Sequence, residues 1–154
     1  LFGSYYFEDE KLYDKAIKLD KSNYFPHIGK ANIYISENNY NKALYELEEA
    51  IKKKQDLAEF IFFVGVLYEE KGNVEKAKEL YLKSIRIFDE RIKNPDKNKE
   101  RDVNILNRAL AKKFLNDKTY IDDLKLIKNL NVSSASIKMV KDLTKEEIIG
   151  QLVP

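Results

Sequence analysis

A chain of 154 residues with 44% hydrophobic and 35% charged side chains has the composition of a single helix-rich, soluble domain with solvated faces, not of a disordered segment. Lys and Arg number 28 against 26 Asp and Glu, and a net charge of +2 is too nearly balanced to point to nucleic acid or an anionic membrane surface. Cysteine is absent, which excludes disulfides, thiolate metal sites and cysteine nucleophiles, and the longest apolar run, eight residues at 61–68, falls far short of the ~20 that cross a bilayer.

A spacing of 34 residues organises the chain: Tyr34 recurs as Tyr68, Ala43 as Ala77, Ala31 as Gly65, Asn38 as Gly72, Ala50 as Ser84, and Ala16 as Ala50. Such a period signals a helical repeat array. In chain order, Tyr13-Asp14-Lys15-Ala16-Ile17-Lys18-Leu19-Asp20 reads as the second helix of a repeat whose first helix is missing, so 1–23 is a half repeat. The first complete repeat is 24–57. Its first helix carries Ile28, Ala31, Tyr34 and Ile35 on one stripe, with Pro26 in the first turn, where a missing N–H costs nothing. A turn at Glu37-Asn38-Asn39 leads to a second helix marked by Tyr40, Ala43, Leu44, Leu47, Ala50 and Ile51.

The next repeat, 58–92, has Ile61, Val64, Gly65 and Tyr68, a turn at Lys71-Gly72-Asn73, then Ala77, Leu80, Tyr81 and Ser84, with the second helix extended through Ile85, Ile87 and Phe88. Small residues at places eight and twenty let the paired backbones approach, and Gly72 and Asn38 suit the left-handed conformation that ends a helix. Residues 93–130 form a degenerate repeat: Asn107-Arg108-Ala109 stands for a first-helix core and Asn116-Asp117 for its turn, with Lys112 in place of Tyr and Ile121 in place of Ala. The step from Gly72 to Asn116 is 44, ten more than the repeat, so an insertion is expected over 91–101. The tail, 131–154, follows no repeat. Ser133 or Ser134 caps a helix with Ile137, Val140 and Leu143, and Thr144-Lys145-Glu146-Glu147 has the form of a capping box opening a helix with Ile148, Ile149 and Leu152. Solenoids need covered ends, and this tail suits that role.

Over 24–88 these residues resemble the tetratricopeptide repeat family, matching its pattern at Ile61, Val64, Gly65, Tyr68, Gly72, Ala77, Tyr81 and Ser84, and at His27, Ala31, Tyr34, Asn38, Ala43, Leu47 and Ala50. They depart from it at His27, where the family has Trp, and at Gln55 and Asp89, where it closes with Pro. The resemblance implies an all-α, right-handed superhelix of helix pairs with an extended insertion helix and a helical C-terminal tail. It implies a protein–protein interaction scaffold or adaptor, not an enzyme, and a concave surface lined by first helices. The corresponding places hold Phe25, Ile28, Asn32, Ile35 and Ser36, then Glu59, Phe62, Val66, Glu69 and Glu70, then Val103, Leu106 and Leu110. A groove that is apolar with an acidic rim follows, and the cationic set with which some members hold a chaperone's terminal carboxylate is matched only at Asn32.

So wide an apolar strip needs a cover. A helix or extended peptide from a protein partner, the chain's own tail, or a second copy in a homodimer would each supply one. Chemistry has little to stand on. His27, the single histidine, sits at a packing place and excludes a His-His metal site. The dispersed glycines Gly3, Gly29, Gly65, Gly72 and Gly150 form no phosphate-binding loop, so no cofactor is expected. The acidic pairs Glu48-Glu49, Glu69-Glu70 and Asp122-Asp123, the only footing for a small hydrolase or transferase, read as solvated helix faces. Lys52-Lys53-Lys54 reads as a helix end complementing the dipole, and RNA binding through lysines and tyrosines is the weaker alternative. The first residue is Leu1, not Met, compatible with leader removal or with a longer parent chain. Richness in Lys, Asn, Ile and Tyr suits bacterial proteins of the cytoplasm or the exported lipoprotein class.

Overall fold

A computed structural model describes residues 10–94, 100–128 and 131–153. Residues 1–9 of the half repeat, with Gly3, residues 95–99 of the insertion and Pro154 of the tail lie outside the described residues. The described residues form the α-helices α1 Glu10–Leu19, α2 Phe25–Ser36, α3 Tyr40–Lys53, α4 Ala58–Glu70, α5 Val74–Lys93, α6 Arg101–Phe114, α7 Tyr120–Leu126, α8 Ser134–Asp142 and α9 Lys145–Leu152, with no strand among them. The chain divides into two compact parts, Leu1–Phe60 and Ile61–Pro154, with the boundary in the first turn of α4.

The same turn ends α2, α4 and α6. Asn38, Gly72 and Asn116 take φ of 56°, 79° and 58°, the left-handed conformation expected of the first two and shared by the third. In each turn the next residue reaches back five positions, Asn39 N–H to Tyr34 O at 2.7 Å, Asn73 to Tyr68 O at 2.9 Å and Asp117 to Lys112 O at 2.9 Å. These bonds satisfy carbonyls that the helix leaves without a partner. Asn39 and Asn73 then cap the following helices, their side chains accepting from the backbone N–H groups of Lys42 and Lys76. The turn chemistry therefore repeats at 34 and then at 44 residues. Part of the extra length is helix: α5 has 20 residues where α3 has 14.

In the N-terminal part, α1, α2 and α3 enclose Tyr13, Ile28, Ala31, Tyr34, Ala43, Leu44, Leu47 and Ala50. Gly29 lets the Tyr13 ring lie on the α2 backbone, for a Cβ there would stand 2.1 Å from Tyr13 Cζ. In the C-terminal part, Gly65 performs the same service for Tyr81, whose Cε1 would be 2.6 Å from an added Cβ. Phe62, Tyr81 and Phe114 pack as a trio of rings with centroids 5.0–5.5 Å apart. Aromatic contacts of this kind each add about 0.5–1.5 kcal/mol to the burial itself.

Candidate peptide-docking site

Phe25, Ile28 and Asn32, three of the residues expected to face a ligand, come together in the N-terminal part on a cavity of about 160 Å³. Tyr13, Tyr24, Leu57 and Phe60 complete most of its wall. Phe25 is 51% exposed and is the most exposed of these side chains. Its backbone N–H is held by Asn23 Oδ1 at 3.0 Å, which fixes the start of α2. Ile35 is half-buried and Ser36 exposed further along α2, and Glu59 is half-buried at the start of α4. None of these three lines the cavity. Asn32 Oδ1 is buried without a hydrogen-bond partner.

Behind this face runs a polar seam that sequence reasoning missed. His27 is buried, as its packing place required, but its Nδ1 meets Glu46 Oε2 at 2.7 Å. Glu46 Oε1 lies 2.9 Å from Lys30 Nζ, which in turn donates to Asp14 at 2.9 Å. Tyr34 donates its hydroxyl to Glu10, and burial together with that bond pushes the phenol up to about 12. The acidic neighbours hold the Lys30 ammonium above its usual range against the opposing effect of burial. These bonds tie α1 to α2 and α2 to α3. Glu46 was legible in one respect, since it shares a helix face with Ala43 and Ala50, where a charge must be paired.

In the C-terminal part the expected groove residues are covered. Phe62, Val66, Leu106 and Leu110 belong to one buried cluster with Val140, Ile148 and Ile149 of the tail. Val103 is half-buried and Glu70 exposed. Glu69 accepts the Tyr81 hydroxyl at 2.7 Å and an ion pair from Lys145. Burial, and then the bond to Glu69, raises the Tyr81 phenol far above its ordinary range. Lys145 also donates to Phe114 O at 2.9 Å, while Lys113 donates to Val140 O at 2.7 Å. Each lysine thus satisfies an orphan carbonyl at the end of a helix facing it, α6 in one case and α8 in the other.

Residues 58–90, covering α4 and most of α5, match the family model described as tetratricopeptide repeat. The chain carries a tetratricopeptide repeat. No curated protein matches it. A tetratricopeptide repeat is a scaffold for protein–protein interaction, and its all-helical fold is typically non-enzymatic. Among the described residues no three His, Cys, Asp or Glu side chains are grouped to hold a metal ion, and no helix is long and apolar enough to cross a membrane.

Within the tetratricopeptide repeat the acidic pair splits, Glu69 being engaged by Tyr81 and Lys145 while Glu70 faces solvent. Beyond the repeat, Asp122-Asp123 splits likewise, and here the expected solvated face is corrected at one position. Asp122 is exposed beside Lys125, but Asp123 is only 3% exposed. Its carboxylate receives Arg108 Nε at 2.9 Å and Nη2 at 2.7 Å, with Lys112 Nζ at 3.0 Å. Arg108 also binds Asp89 at 2.6 Å, so one guanidinium joins α5, α6 and α7. Lys112, standing where the repeat has Tyr, acquires its use from Asp123. Ile121, standing where the repeat has Ala, is 47% exposed, so no close backbone approach occurs there.

Proposed function

We propose that this protein is an interaction scaffold that docks a peptide or helix of a protein partner on the α2 face bearing Phe25, Ile28, Asn32 and Ile35, with Glu59 on its rim. The tail, in this reading, closes the equivalent face at Phe62, Val66, Glu69 and Leu106. The observation that carries it is the half-exposed Phe25 beside an apolar cavity, in a chain whose groove positions Phe62, Val66, Leu106 and Leu110 are packed in one cluster with its own tail. A large apolar side chain left in water beside a concave space gains about 25 cal/mol for each Å² a partner covers.

The test is capture of the native partner by the wild-type chain and by Phe25→Asp. Loss of the partner with unchanged thermal unfolding supports the docking face, whereas equal retention by both counts against it. Phe62→Asp, the obvious substitution from the groove pattern, is uninformative because Phe62 is 3% exposed and its replacement disrupts packing. Sedimentation of the same two proteins shows whether the partner is a second copy: a dimer broken by Phe25→Asp assigns the face to self-association.

A further inference from the structure

Of the side chains of α2, Lys30 is the one that carries a formal charge, and its ammonium is 12% exposed and held in the seam by Glu46 and Asp14, each at 2.9 Å. The face bearing Phe25, Ile28, Asn32 and Ile35 is therefore free of charge, in a chain of which 35% is charged. None of the side chains around the cavity is charged either. A partner side chain buried here as an ion would lose its water and gain no counter-ion.

The C-terminal part shows what the equivalent face of α4 accepts. Phe62 and Val66 are buried in one cluster with Val140, Ile148 and Ile149, branched aliphatic residues of the short helices α8 and α9. A single cation from the start of α9, Lys145, meets Glu69 at place twelve of the repeat. Place twelve of α2 is Ile35. The α2 face thus offers the aliphatic packing that α4 uses without the carboxylate that α4 adds. We propose that the segment docked on α2 is a short helix of a protein partner whose contact stripe is branched aliphatic and carries no charge. The proposal rests on the docking reading and specifies the partner that this face accepts.

The probe is an acetylated, amidated helix of alanine and glutamine with isoleucine at i, i+3, i+4 and i+7, titrated calorimetrically into the full chain. Saturable binding is expected, with an affinity that changes less than about threefold between low salt and about 0.5 M NaCl. Replacing one stripe isoleucine by Lys or by Glu is expected to weaken binding about tenfold more than replacing it by Gln, whichever the sign of the charge. Ile35→Glu puts a carboxylate where α4 has Glu69, so that variant should bind the Lys peptide more tightly than the Glu peptide. If Ile35→Glu does not fold, the series on the wild-type chain decides. The proposal is overturned by no saturable binding of the neutral peptide, by a Lys or Glu peptide binding as tightly as the Gln peptide, by undiminished binding to Phe25→Asp, or by no preference for Lys on folded Ile35→Glu. Any of these together with loss of the native partner by Phe25→Asp sinks the aliphatic segment alone, whereas partner retention by Phe25→Asp sinks the docking reading itself.

Discussion

Place five of the 34-residue repeat holds Ile28 in α2 and Phe62 in α4, and place nine holds Asn32 and Val66. In the C-terminal part the two α4 residues disappear into a cluster with Val140, Ile148 and Ile149. In the N-terminal part the two α2 residues border a cavity beside a half-exposed phenylalanine. The difference lies in what the chain supplies afterwards. A repeat scaffold specifies which positions turn inward along the first helix, and whether such a position is core or ligand contact depends on whether another segment covers it.

The comparison breaks most visibly under matched truncations. Phe62→Ala is expected to destabilise the C-terminal part by about 3–5 kcal/mol, and Ile148→Ala, at 0% exposure, by about 2–5 kcal/mol. Phe25→Ala removes the same atoms from a side chain that is 51% exposed and should cost less than about 1 kcal/mol. Urea midpoints on the three variants check the ordering. A Phe25→Ala loss equal to that of Phe62→Ala would mean that α2's face is core after all.

A smaller effect sharpens the N-terminal half of the comparison. Gly29→Ala drives a methyl into Tyr13, and such overpacking costs about 1–3 kcal/mol. Tyr13 also lines the cavity, so the ring has space to swing into. The variant is therefore expected to lose cavity volume along with stability, and to weaken partner capture at Phe25, which stands one helical turn before Gly29 on α2 and borders the same cavity. Unchanged stability and unchanged capture would show that Tyr13 is not held where its packing against Gly29 implies.

How much of this was legible beforehand follows from the range of the interactions. The helix stops came from local chemistry, left-handed Asn38 and Gly72 and the turn at Asn116-Asp117, and the start of α9 from the Thr144–Glu147 capping box, while the capping by Asn39 and Asn73 was not read although it too lies within a turn of the residues it serves. Lengthening of α5 came from the mismatch between 34 and 44. The seam from His27 through Glu46 to Lys30 did not, because Glu46 lies 19 residues from His27 and ion pairs leave no periodic trace. The tail's docking was even less accessible. Its apolar residues were visible and suited a cover, but their burial with Phe62 and Val66 and the meeting of Lys145 with Glu69 across 76 residues leave no local trace.

That latch supplies the next prediction. Lys145→Met leaves Glu69 with the Tyr81 hydroxyl alone and leaves Phe114 O without its donor. Both charges are partly solvated, so the loss should be about 1–2 kcal/mol, short of that for a fully buried pair. Alkali gives a related readout. The Tyr81 phenol is raised in the folded state, so its contribution is complete below the ordinary value of 10.0 and is lost as pH rises beyond it, when only the unfolded chain ionises. Tyr81→Phe is expected to lessen the fall in stability above that pH, as followed by helical circular dichroism.

The smallest effect concerns the start of α9. Thr144 N–H donates to Glu147 Oε2 at 2.7 Å and Glu147 N–H to Thr144 Oγ1 at 3.2 Å, closing the capping box. The backbone bond from Thr144 holds the Glu147 carboxyl below its ordinary 4.5. A lowered carboxyl stabilises the fold above the unfolded value and loses that contribution as pH falls through the folded one, so the tail should loosen below pH 4.5. Glu147→Gln keeps an acceptor at the same place without the titration. Its urea midpoint should therefore change less between about pH 6 and about pH 3 than that of the wild type. Thr144→Ala, by contrast, loses about 1 kcal/mol at every pH, because the hydroxyl that accepts from Glu147 N–H is gone. If Glu147→Gln and wild type lose stability in parallel on acidification, the box does not hold the tail.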